Sequence, residues 1–91
     1  MATKSWKVEV SKSAVKSLRS INEPFKGKIL KAIAQLAEDP LPFGNKRLVD
    51  VEPPMYRIRV GDYRIVYEVF TDEALVRVAR IRHRSDVYKD L

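Results

Sequence analysis

Cysteine is absent from the 91 residues. That absence excludes a disulfide framework and a thiolate metal site, and it agrees with a reducing compartment. Glycine is scarce, at three residues against five prolines, so the composition is that of a folded chain and not of a linker or a disordered tail. No apolar run approaches the roughly 18 residues that cross a bilayer, and the opening MATKSWKVEV lacks an apolar signal core. At this length one modest hydrophobic core is expected. Together these absences predict a single domain over residues 1–91, soluble and cytoplasmic, with no membrane partner, no cofactor and no metal.

Negative charge is also in short supply. Twelve Asp plus Glu stand against eighteen Lys plus Arg, a formal net charge of +6, which favours a polyanion, an acidic protein or a membrane surface as partner. The cations are sorted by type. Eight of nine lysines lie at or before Lys46, whereas seven of nine arginines lie between Arg57 and Arg84. A lysine is a mobile, well hydrated point charge suited to an exposed helix face. The planar guanidinium instead grips phosphate or carboxylate through two parallel hydrogen bonds and stacks on bases. The second half of the chain therefore reads as its recognition half.

Periodicity supplies the organisation. WKVEV, residues 6–10, alternates as a strand, and Ser11 or Ser13 then offers an N-cap to a short helix marked by Ala14, Leu18 and Ile21. Pro24 starts a second helix that should end near Glu38, with Phe25, Ile29, Ile33 and Leu36 on one face, widened by Leu30 and Ala37. Residues 39–45 form a loop, and KRLVDVEPP is a weak strand stopped by Pro53-Pro54. Residues 55–60 and 63–70 alternate strongly around Gly61-Asp62, a pair suited to a two-residue hairpin turn. Thr71-Asp72-Glu73 turns the chain into a last strand, ALVRVARI, in which Leu75, Ala79 and Ile81 are expected to reach the core. The fold class that follows is α+β: two N-terminal helices on one face of a twisted antiparallel sheet, in the order β-α-α-β-β-β, with a short C-terminal helical turn.

The same alternation sorts the hairpin into two faces. Tyr56, Ile58, Val60, Tyr63, Ile65, Tyr67 and Val69 form the core face, and Arg57, Arg59, Arg64, Val66 and Glu68 form the other. Two positions along a strand lie roughly 7 Å apart, near the spacing of successive phosphates, so Arg57 and Arg59 suit a nucleic-acid backbone. RIRHRSDVY, residues 80–88, then places Arg80, Arg82 and Arg84 around the only histidine, His83, with Tyr88 close behind. Cutting RNA through its own 2′-hydroxyl requires a base, an acid for the leaving 5′-oxygen, and cations for the charge gathering on phosphorus. Histidine carries protons at neutral pH, arginine stabilises charge, and tyrosine donates a proton or stacks on a base.

The run YRIRVGDYRIVYEV, followed after one more strand by RHRSDVY, closely resembles the RelE family of bacterial and archaeal toxins. The resemblance extends over essentially the whole chain. It implies a metal-independent mRNA endonuclease that works in the ribosomal A site, against mRNA and rRNA, and is neutralised by a cognate RelB-like antitoxin expected to be acidic. Carried over by position, its site residues are Arg57, Arg59, Arg64, one of Arg82 or Arg84, and Tyr88. Family members with lysines on the first of these strands can use one as a base. Arginines cannot lose their protons, so here the role falls to His83, Tyr88 or Glu68. Two other readings share the composition: a ParE-like toxin of the same fold that inhibits DNA gyrase without hydrolysis, and a non-catalytic RNA- or ribosome-binding module.

Overall fold

The computed structural model describes residues 5–42, 44–48 and 54–87, with side chains through Ser85. Its elements are β1 (Lys7–Val10), α1 (Lys12–Ser20), α2 (Phe25–Gln35), β2 (Lys46–Arg47), β3 (Met55–Val60), β4 (Tyr63–Phe70), β5 (Leu75–His83) and α3 (Arg84–Val87), with a 3-10 turn over Thr71–Glu73 between β4 and β5. The strands form one sheet in the order β1-β5-β4-β3-β2. Consecutive strands from β2 to β5 pair antiparallel, as expected, but β1 lies parallel to β5. No turn joins those two strands, so no turn dictates their direction. Their register sets Val8 beside Val76 and Val10 beside Val78.

Both helices cover one face of the sheet. Ala14 and Leu18 of α1 and Ile29 and Ile33 of α2 are buried with Leu36 against Ile58, Ile65, Tyr67, Val76, Val78 and Ile81. Burying side chains of this size contributes roughly 1.5 to 3 kcal/mol each before chain entropy is counted. Phe25 and Leu30, expected on the apolar stripe of α2, are exposed at 40% and 46%. Phe25 packs on the rim instead, its ring 5.8 Å from that of Tyr63. Tyr67 is fully buried, and its hydroxyl donates a 2.8 Å hydrogen bond to the carbonyl of Pro40.

The last strand departs from simple alternation. Val66 pairs with Arg80 while Tyr67 pairs with Val78, which leaves Ala79 as the extra residue of a β-bulge. Before the bulge Val76 and Val78 face the helices; after it Ile81 does. Leu75 and Ala79 are therefore not buried core residues, contrary to the regular spacing read from the sequence. One extra residue reverses the parity of everything downstream. Ser11 secures this point. It caps α1 by accepting from the Ala14 amide at 3.1 Å, and its hydroxyl donates to the Ala79 carbonyl at 2.7 Å.

A candidate nucleic-acid interface

The β3–β4 hairpin turns through Gly61 and Asp62, with Gly61 at φ +59°, a left-handed conformation that glycine adopts at little cost. Alternation on either side of that turn sends Arg57, Arg59, Arg64, Val66 and Glu68 to the face opposite the helices. The bulge does the same for β5. Arg80 and Arg82 share the parity of the core residues Val76 and Val78, and would face the helices if the strand were regular. With Ala79 inserted they face outward.

The pairing register then orders the cations. Arg59 lies opposite Arg64, and Arg64 opposite Arg82, so three arginines stand abreast on β3, β4 and β5. The adjacent row runs Lys46, Arg57, Val66, Arg80 across four strands. Like charges directly opposed on a sheet destabilise it. Electrostatically, these two rows suit a ligand that brings negative charge.

Arg57 is perturbed by this crowding. Its guanidinium pKa is held below the ordinary arginine value, first by burial and then by the charges of Arg64 and Arg59. Its Nε is buried without a hydrogen-bond partner among the described residues. A buried donor left unmade costs on the order of 1 to 3 kcal/mol. The fold tolerates an uncompensated cation at the centre of a cationic group, which an incoming phosphate oxygen would relieve.

Arg84 begins α3 beside the hairpin turn. Its amide donates to the Asp62 carbonyl at 2.7 Å, and its guanidinium lies 3.9 Å from the Asp62 carboxylate. With Arg59, Gly61, Asp62 and Arg64 it lines a cleft of about 210 Å³. Both arginines considered for the strand end therefore reach the neighbourhood of Arg64. Arg82 does so within the sheet face, Arg84 at the end of the hairpin.

His83 does not join them. It pairs with Tyr63, the two rings meeting edge to face at 5.1 Å, and it borders a recess on the helix side with Ser17, Ser20 and Ile21. Its Nδ1 accepts the Ser85 amide at 3.2 Å and lies 2.9 Å from the Ser85 hydroxyl. Strand alternation explains the separation: a residue between two outward arginines must point inward. Tyr88 lies outside the described residues. Glu68 is on the open face, two positions along β4 from Val66. Lys46 was not among the expected site residues, and Arg80 was grouped with Arg82 and Arg84 around His83 without a role of its own. Arg80 was legible from its spacing of two from Arg82, whereas a two-residue β2 gives Lys46 almost no periodic signal.

The fold of one sheet covered by helices on one side is shared by known proteins. Residues 8–88 match the family described as "ParE toxin of type II toxin-antitoxin system, parDE". A Methanocaldococcus jannaschii protein assigned as toxin RelE1 is 30% identical over 88 residues, which cover 93% of this chain and 97% of that one. The archaeal RelE–RelB complex of Pyrococcus horikoshii OT3 contains a chain that is 26% identical with a TM-score of 0.79, covering 88% of this chain and 96% of its own. In the RelB–RelE antitoxin–toxin complex of Methanococcus jannaschii the values are 25% and 0.76, with 91% and 98% covered. The chain belongs to this family of type II toxin–antitoxin toxins, and its relatives place it with the RelE toxins.

Proposed function

We propose that the protein is a ribosome-dependent endoribonuclease that cuts mRNA in the A site, with no metal ion in the reaction. The observation that carries this reading is the convergence of Arg57, Arg59, Arg64 and Arg82 on the helix-free face of the sheet. In the step proposed, the ribose 2′-oxygen attacks the adjacent phosphorus, the 5′-oxygen leaves, and a cyclic phosphate remains. Negative charge grows on the phosphoryl oxygens as the new bond forms. Guanidinium groups already in place meet it without reorganisation, and removing one such donor typically costs about 100- to 1,000-fold in rate. Arg84, at the cleft beside Arg59 and Arg64, extends the grip to a neighbouring phosphate.

Proton transfer needs a different group, because arginine keeps its proton. Of the described candidates, Glu68 shares the arginine face, whereas His83 lies on the other side of the sheet with Nδ1 already engaged. We assign the proton-transfer roles to Tyr88 and Glu68, and a role in placing α3 to His83. The RelE–RelB complexes among the similar structures support a cognate antitoxin as partner. A net charge of +6 favours an acidic segment of that antitoxin covering the arginines. Deleting the neighbouring antitoxin gene should then leave growth arrest unrelieved.

Primer extension on translated mRNA tests the proposal. Wild-type protein should produce A-site cuts. Arg64→Ala should lose about 100- to 1,000-fold and Tyr88→Phe about 100- to 10,000-fold in rate. The matched family carries the ParE name, which favours gyrase inhibition as the second reading. Intact message together with blocked supercoiling by gyrase would select it.

A further inference from the structure

Six cations of the open face occupy two adjacent rows of the sheet, and the next row ends the positive region. There Glu68 on β4 pairs with Arg77 on β5, which pairs in turn with Glu9 on β1. That row alternates in sign across three strands and is close to neutral. The positive region is therefore a band with a defined edge, running across the strands and not along them. Its first row, Arg59, Arg64 and Arg82, contains three of the four arginines assigned to the scissile phosphate, and Arg57 in the second row is the fourth. Its second row reaches one strand further, from Lys46 on β2 to Arg80 on β5, and both of these end residues are exposed.

We propose that Lys46 and Arg80 are binding residues for the phosphates that flank the scissile one, so that single-stranded RNA crosses the sheet perpendicular to its strands over at least three consecutive phosphates. This inference rests on the RNA-cutting reading and adds residues and a direction to it. The dimensions fit. Three strand spacings separate Lys46 from Arg80, about 14 Å in all, and successive phosphates of an extended strand are about 7 Å apart. Lys46 and Arg80 thus stand two phosphate steps apart, with the scissile linkage between them. Val66, the uncharged member of the second row, sits between Arg57 and Arg80 and leaves a small apolar floor where a ribose or base edge can rest. A cation at each end, with no proton-transfer group beside it, holds substrate without taking part in the chemistry.

Salt dependence of binding tests the track directly. Full-length protein is titrated into a fluorescent 2′-O-methyl RNA hexamer, which cannot be cut by 2′-hydroxyl attack, and anisotropy is followed as KCl is raised. Each phosphate contact on a single strand contributes about 0.7 to the slope of log affinity against log salt. Arg80→Ala and Lys46→Ala should each lower that slope by about 0.7, and the double variant by about 1.4. Arg80→Lys should restore it, and Arg77→Ala, in the neutral row, should leave it unchanged. On translated mRNA the double variant should raise KM with kcat retained.

Unchanged slopes in both single variants, or absence of hexamer binding by the wild type, overturn the track. The two readings fail separately. A message cut normally by the double variant at wild-type KM removes the track and leaves the nuclease. Uncut message with slopes that still depend on Arg80 and Lys46 removes the nuclease and leaves an RNA-binding face.

Discussion

Arg57 shows at the scale of one side chain an unrelieved cost to stability. Burial and two neighbouring guanidinium groups lower its pKa, and its Nε is buried without a partner among the described residues. Replacing it by methionine keeps the stem and removes the charge. Arg57→Met is expected to stabilise the fold by about 1 kcal/mol, which raises Tm by roughly 4 to 8 °C in a domain of this size, while mRNA cleavage falls by at least about 100-fold. A variant with lower Tm by calorimetry would refute that trade-off. Tyr67 is a buried residue of the opposite kind, fully satisfied and structural. Burial, then the proximity of Tyr56 and Asp39, pushes its phenol up to about 12. The unfolded chain loses this proton near pH 10, so Tyr67 favours the folded state below pH 10 and that contribution drains away between about pH 10 and 12. Urea denaturation at pH 8 and pH 11 should show the alkaline loss in the wild type. Tyr67→Phe should be weaker by about 1 kcal/mol at pH 8, because the Pro40 carbonyl loses its donor, and should show a smaller further decline.

At the scale of elements, the bulge at Ala79 decides what the last strand presents. It turns Arg80 and Arg82 outward and, with the same reversal, sets His83 inward against Tyr63. The outward arginines join the proposed site, whereas the inward histidine holds local structure, its Nδ1 receiving the first free amide of α3. Ser11 holds helix and bulge together with a single hydroxyl, as cap acceptor for α1 and donor to Ala79. Ser11→Ala removes both bonds at once and should cost about 1 to 2 kcal/mol in urea denaturation, with Ser11→Thr recovering most of it. Equal stability of the serine and alanine proteins would mean that neither bond matters. Much at this scale was legible beforehand. The faces of β3 and β4 followed from strict alternation about Gly61-Asp62, and the start of α1 from a cap at Ser11 or Ser13, of which Ser11 is the one used. The bulge was not, because an extra residue in a strand leaves no mark in the sequence that a mixed run of valine, alanine and arginine would reveal. The exposed positions of Phe25 and Leu30 escaped for a related reason, since an apolar stripe does not say how far along it the sheet reaches.

For the whole molecule, charge distribution matters more than its sum. Two helices seal one side of the sheet, and the other keeps six cations in two adjacent rows, so self-repulsion is concentrated on the face proposed to bind RNA. Screening should relieve it. Raising KCl from about 50 to 300 mM is expected to raise Tm, and a short polyanion such as heparin should raise it more at equal ionic strength. A Tm that falls with salt would show that the arginines are already neutralised within the protein. Among the described residues no helix is long and apolar enough to cross a membrane. From its sequence alone this protein's positive charge, its helix and strand types, the hairpin and the outward arginines Arg57, Arg59 and Arg64 were determined, because each depends on residue type and on periods of two or 3.6 within one segment. Only the tertiary structure decided that β1 runs parallel to β5, that Arg64 faces Arg59 on one side and Arg82 on the other, and that His83 turns away from them. Those facts depend on register between distant segments, and register is settled where buried side chains from separate elements meet.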